Sequence, residues 1–163
     1  MNTVGYEEIR QRNIEEYGKG TRHLAYLSDL YGNHTHFLYE LLQNAEDALT
    51  KRENGAEAGY VEIRLHDDRL ELRHNGKPFD ERDVTGICGI GEGSKAGDYS
   101  QIGKFGIGFK SVYAYTLAPR IHSNDEHFEV RRFVEPHALP DGTAPPDVKL
   151  IETCIVLPFD TQA

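Results

Sequence analysis

The sequence predicts an α+β fold of single-domain size, and three observations carry that prediction. Apolar residues recur at three- and four-residue spacing up to about residue 52, then alternate with charged residues from Tyr60 onward. A chain of 163 residues with 38% apolar composition has the material for one core. Between the strand-like stretches lies a glycine-rich segment, 89–101, with little that could enter a core.

The elements follow in order. Tyr6 to Tyr17 is polar with Ile9 and Ile14 recurring, a surface helix stopped by Gly18 and Gly20. A second helical run, Arg22 to Tyr31, leads through Gly32-Asn33 into a long helix from about His34 to Arg52. Phe37, Leu38, Leu41, Leu42, Ala45, Ala48 and Leu49 form its expected buried stripe, and Asn54-Gly55 its stop. Tyr60, Val61, Ile63 and Leu65, then Leu70 and Leu72, make a strand pair turning at Asp67-Asp68. Asp80 is placed to cap a short helix through Ile87, with Asp83 in its first turn. Phe105 to Tyr115 reads as a helix. Arg120–Ser123, Phe128–Val134 and Val148–Leu157 read as strands, and the Pro-rich stretch Glu135 to Asp147 as exposed loop.

Composition narrows function. Twenty-seven acidic against eighteen basic residues leave a formal charge of −9, a surface that repels nucleic acid and anionic membranes. Cys88 and Cys154 stand apart in apolar stretches, as reduced, buried thiols do, and outside any zinc-type cluster. No apolar run approaches the roughly 20 residues of a membrane helix, and the first thirty residues are too polar for a signal peptide. The expected address is the cytoplasm.

Two segments carry chemistry. Glu40, Asn44 and Asp47 stand at i, i+4 and i+7, which stack on one helix face. An amide oxygen is a hard, neutral ligand suited to Mg²⁺, and a carboxylate one turn away can accept a proton from water. The same charges also fit a plain solvated helix face. Some sixty residues later comes Ile102-Gly-Lys-Phe-Gly-Ile-Gly-Phe-Lys-Ser111, a glycine turn entering a helix, which offers bare N–H groups to an anion. Lys104 and Lys110 could add positive charge there. It is no Walker A loop, because Gly97-x5-Gly103-Lys104 is one residue too long and ends in Phe105. It is no dinucleotide fingerprint, because Gly103-x-x-Gly106-x-Gly108 runs in the reverse spacing. The strand end His74-Asn75-Gly76 can place a hydrogen-bonding group against a purine edge, though a polar turn of that kind needs no ligand. Thr153 is a lone hydroxyl on an apolar strand. His74 excepted, the histidines read as incidental; His34 and His36, at i, i+2, point to different helix faces.

Taken in order, Glu-x3-Asn-x2-Asp-Ala, the strand-end glycine, the loop, Ile-Gly-x-Phe-Gly-x-Gly-Phe and a closing strand with Thr resemble the GHKL ATPase superfamily. The wording is closest to the ninety-kilodalton heat-shock chaperones and the N-terminal repeats of sacsin, from Gly20 to Phe159. The resemblance implies a two-layer α/β sandwich, the Bergerat fold, with helices on one face of a mixed sheet. It sets residues 1–20 as an N-terminal helical extension and 21–163 as the ATP-binding domain, with further domains able to follow. Glu40 takes the place of the general base, Asn44 that of the Mg²⁺ ligand and Asp47 that of a carboxylate near the nucleotide. Gly103, Lys104, Phe105, Gly106, Ile107 and Gly108, with Phe109 next, match the phosphate-wrapping turn. Gly91, Gly93, Ser94 and Lys95 fall in the matching lid. His74, Asn75, Gly76 and Thr153 match the adenine end. His74 stands where the family carries Asp, leaving the neutral imidazole or Asn75 to accept from the adenine amino group. Glu40 and Asp47 favour hydrolysis over protein-kinase activity. The resemblance thus implies ATP and Mg²⁺ as cofactors, slow turnover in isolation, a conformational switch in a chaperone-like or defence-type protein, and scope for a homodimer on ATP binding. A nucleotide-sensing module without catalysis is the rival expectation.

Overall fold

A computed structural model of the chain describes residues 2–17, 35–53, 57–89 and 108–159. Helix α1 spans Tyr6–Tyr17, α2 His36–Lys51 and α3 Glu81–Cys88, with a 3₁₀ helix at Phe109–Ala114. Six strands, β1 (Val61–Leu65), β2 (Arg69–His74), β3 (Arg120–Ser123), β4 (Glu126–Arg131), β5 (Glu135–Ala138) and β6 (Thr153–Pro158), form one sheet in the order β1-β2-β6-β3-β4-β5. The expected α+β class is what the structure shows. All five strand pairings are antiparallel, a narrower pattern than the mixed sheet expected.

Register explains the two faces. Ile63, Leu72, Ile155, Ile121 and Phe128 stand opposite one another in a single row across β1, β2, β6, β3 and β4. The side chains of that face from Leu72 to Phe128 meet Tyr6, Ile9, Phe37, Leu41 and Ile87 of the helices in one core. The next row along, Glu62, Arg73, Cys154, His122 and His127, points the other way, as the two-residue period requires. That face is charged yet closed. Arg73 and Glu71 are both fully buried and ion-paired at 2.6 Å, and Asp147, from the connection before β6, adds a second pair at 2.9 Å. Burial opposes the Arg73 charge, but these carboxylates hold it in place.

Local chemistry matches several sequence expectations. Asp80 accepts from the Arg82 and Asp83 N–H groups while Asp83 accepts from the Asp80 N–H, a reciprocal capping box that starts α3. Burial works against the Asp80 charge, yet Lys77 at 2.8 Å and the Asp83 N–H bring its carboxyl down to about 2. Both cysteines are free and buried.

Other expectations are corrected. Leu42, assigned to the buried stripe, is exposed; only Phe37, Leu41 and Ala45 of α2 are fully buried. The helix expected from Phe105 is, over the described residues, the tighter 3₁₀ type. The stretch beginning at Glu135 opens with β5, not loop, and β4 ends at Arg131. The turn between them runs through Arg132 and Phe133 at φ of 51° and 71°, conformations usually left to Gly or Asn. Phe133 is held there by its ring against Tyr113 and by Lys110, whose ammonium donates to the Phe133 carbonyl. The last strand starts at Thr153, later than expected, because Leu150 and Ile151 form a turn closed by the Glu152 N–H on the Lys149 carbonyl at 2.9 Å. The run Arg22 to Tyr31 and the stops at Gly18, Gly20 and Asn54-Gly55 lie outside the described residues. No helix among the described residues is long and apolar enough to cross a membrane.

Candidate functional site

The site is built where the C-terminal end of β2 meets α2. Gly76 permits the contact. A Cβ there would stand 2.6 Å from the Ala48 carbonyl carbon and 2.7 Å from the Leu49 nitrogen, so only glycine lets the turn lie on the helix backbone. The Lys77 N–H then donates to the Ala48 carbonyl at 2.8 Å. This contact sets Asn44 and Ala48 beside His74, around a cavity of about 30 Å³. Apolar groups from Phe79, Ile87, Phe109 and Ile155 line it, and Lys51, Lys77 and Asp83 bring charge. The cavity is partly open to solvent.

One face of α2 carries the unusual feature. Glu40 Oε2, Asn44 Oδ1 and Asp47 Oδ2 are each buried and, among the described residues, without a hydrogen-bond partner. A buried polar atom left unpaired costs about 1–3 kcal/mol, more if charged. Three such oxygens on one helix stripe are placed to accept from a ligand or to hold a cation. Burial raises the Glu40 pKa, against an opposing pull from His36, whose Nε2 lies 3.2 Å from Glu40 Oε1. The histidine read as incidental thus touches the candidate base. Gly108 faces the same carboxylate: a Cβ on it would overlap Glu40 Oε2. The last glycine of the Gly-rich turn and the first acid of the helix are therefore neighbours.

His74 is 2% exposed, and burial pushes its pKa down to about 4, so the ring is neutral. Its Nδ1 accepts from the Gly76 N–H at 3.1 Å. Thr153 lies opposite His74 in the register and, on its other side, opposite Ser123. Thr153 and Ser123 share a 2.6 Å hydrogen bond, and Ser123 accepts from the Phe79 N–H at 2.9 Å. The lone hydroxyl of the sequence is one of a pair.

Two expectations change. Asn75 does not face the cavity: its Oδ1 accepts from Tyr60 N–H and its Nδ2 donates to Ala58 O, both at 2.9 Å, bracing the strand entry. Lys110 does not serve a phosphate. It is buried, donates to the carbonyls of Ile87 and Phe133, and burial lowers its pKa to about 8. Gly91, Gly93, Ser94, Lys95, Gly103, Lys104, Phe105, Gly106 and Ile107 lie outside the described residues. Of the remaining candidates, Asn44, His74 and Phe109 share the cavity, while Glu40 meets Gly108. Sequence reasoning missed Lys51, Lys77 and Ser123. Lys51 was within reach, since it stands seven residues after Asn44, on the same helix face.

A model of the Sacsin domain matches residues 68–138. The chain is 32% identical over 149 residues to Protein NO VEIN of Arabidopsis thaliana, covering 80% of this chain and 5% of that protein. It is 32% identical over 134 residues to human sacsin, covering 74% of this chain and 3% of sacsin. A fainter match, 29% over 109 residues, is to the chaperone protein HtpG of Borreliella burgdorferi, covering 53% of this chain and 18% of HtpG. The chain thus spans a small fraction of the relatives it resembles. By these matches it is sacsin-like, with a weaker likeness to a chaperone.

Proposed function

We propose that the chain is a cytoplasmic, GHKL-type nucleotide-binding module that takes ATP with Mg²⁺, hydrolyses it slowly and acts as a conformational switch in a larger chaperone-like or defence-type protein. The observation that carries this reading is the row of unpartnered buried oxygens on Glu40, Asn44 and Asp47. Asn44 Oδ1 is the hard, neutral ligand that suits Mg²⁺, which keeps most of its waters and phosphate ligands. When bound, the metal would neutralise charge on the phosphates. Asp47 would order the waters around it. Glu40 Oε2 would take a proton from the attacking water, a role helped by burial, which makes this carboxylate more basic. Gly108 leaves the room that carboxylate occupies. A nucleotide that binds one conformation better than another shifts the chain toward it, which is the physical basis of the switch.

Calorimetry and phosphate release on the purified chain test this. Binding of ATP that needs Mg²⁺, is lost in Asn44→Ala and survives in Glu40→Ala is expected, with phosphate release lost in both. Phosphate release unchanged in Glu40→Ala would refute the base assignment. One observation favours a second reading, a sensing module without catalysis: His36 already engages the other Glu40 oxygen. That reading expects binding with no phosphate release. Dimerisation on nucleotide binding is part of the first reading and is read by light scattering.

A further inference from the structure

We propose that the base end of this site reads a hydrogen-bond acceptor, so 6-oxopurine nucleotides bind it at least as well as 6-aminopurine ones. This rests on the nucleotide-binding reading and names the base edge that the site would take. The His74 ring, 2% exposed, lines the cavity beside the apolar Phe79, Phe109 and Ile155. A neutral imidazole has one nitrogen to donate and one to accept. The accepting nitrogen is spoken for: Nδ1 takes the Gly76 N–H at 3.1 Å. Only Nδ1 can reach an N–H two residues ahead, as in the short side-chain turns of Asn and Asp. That N–H cannot turn away, because Gly76 is wedged against the Ala48 and Leu49 backbone and Lys77 N–H is bonded to Ala48 O. The proton therefore sits on Nε2, and the ring presents a donor.

Asn44 Oδ1, the unpaired acceptor on the cavity wall, is the one the nucleotide-binding reading gives to Mg²⁺; other acceptors nearby are engaged. The Asn75 amide is spent on Tyr60 and Ala58. Asp83 Oδ2 takes both Lys77 Nζ and the Asp80 N–H at 2.9 Å. Thr153 and Ser123 hydrogen-bond to each other, and Ser123 also accepts from Phe79. An exocyclic amino group laid against Nε2–H would meet donor with donor and stay unpaired, whereas a carbonyl there is satisfied.

The test compares Mg²⁺ complexes of non-hydrolysable ITP and ATP analogues by calorimetry on the whole chain, wild type and His74→Asp. Nitrogen-resolved NMR of the nucleotide-free wild type gives the His74 tautomer directly. Expected are a protonated Nε2 at pH 7, wild-type affinity for ITP equal to or above that for ATP, and a preference for ATP of about tenfold or more in His74→Asp. A wild-type preference for ATP of tenfold, or a proton on Nδ1, overturns the inference while leaving nucleotide binding intact. Failure of both nucleotides to bind at millimolar levels overturns the underlying reading as well. If His74→Asp does not fold, the wild-type ratio and the tautomer still decide.

Discussion

Asn44→Ala and Asn13→Ala remove the same amide, one with a buried unpaired oxygen and one fully buried and bonded, and should differ in effect. Asn13, 3% exposed on α1, donates from Nδ2 to the Val134 carbonyl at 2.7 Å and to the Cys88 carbonyl at 3.4 Å. Its removal leaves two buried carbonyls short of a donor, at a cost of about 2–3 kcal/mol. Asn44 presents a buried Oδ1 with no partner among the described residues. Truncating it ends a desolvation penalty of about 1–3 kcal/mol and loses packing of about 1 kcal/mol, so stability stays level or rises slightly. The two variants should differ by about 3 kcal/mol, or about 6–12 °C in Tm at 2–4 °C per kcal/mol for this chain length. Thermal and urea unfolding of the nucleotide-free chain measure the gap. Equal destabilisation of the two would refute the reasoning, since it would mean that Asn44 supports the fold and not a ligand.

Gly76→Ala forces a Cβ against rigid backbone at Ala48 and Leu49; it should cost about 3 kcal/mol, measured by urea unfolding, whereas a loss below 1 would show that the turn can lift off α2. Gly108→Ala meets only the flexible end of Glu40, so it should cost little stability but lower phosphate release by about 100-fold, approaching Glu40→Ala. Acid should destabilise the chain in two steps. His74 and His122, both held by burial to about 4, stay neutral in the fold while the unfolded chain protonates near its ordinary 6.5; stability therefore falls as pH drops from about 6.5 towards 4, with His74 contributing up to about 3 kcal/mol. Below about 4.5 the carboxylates whose folded pKa is lowered, such as Glu71 and Glu126, add to the loss. His74→Gln should flatten the upper step in pH-dependent unfolding, and an unchanged slope would contradict the burial argument.

Much of the fold was legible because local chemistry agreed with tertiary packing. The 3–4 stripe of α2, the alternation of β1 and β2 and the Asp80 cap each state their structure in a few residues. The β4–β5 turn was not legible, since Arg132 and Phe133 adopt a left-handed backbone with no Gly or Asn to announce it, and Pro136 on the edge strand reads as loop. Leu42 was misjudged because it lies at the margin of the stripe, where only the sheet's extent decides burial. In the site, spacing alone put Glu40, Asn44 and Asp47 on one face. It could not show that their oxygens lack partners, nor that His36 leans on Glu40. Lys110 and Asn75 illustrate the reverse: residue type and neighbourhood suited a ligand, but distant backbone groups claim them. Such claims are made across the fold and leave no mark in the local sequence.

The most direct test of the site is paramagnetic. Mn²⁺ supplied with a non-hydrolysable nucleotide analogue, in place of Mg²⁺, should broaden the Asn44 side-chain amide and the backbone signals of Glu40 and Asp47 before any others, and Asn44→Ala should abolish the effect. Broadening centred elsewhere, for instance on the exposed Asp67-Asp68 turn, would contradict a metal-and-phosphate site on this helix face.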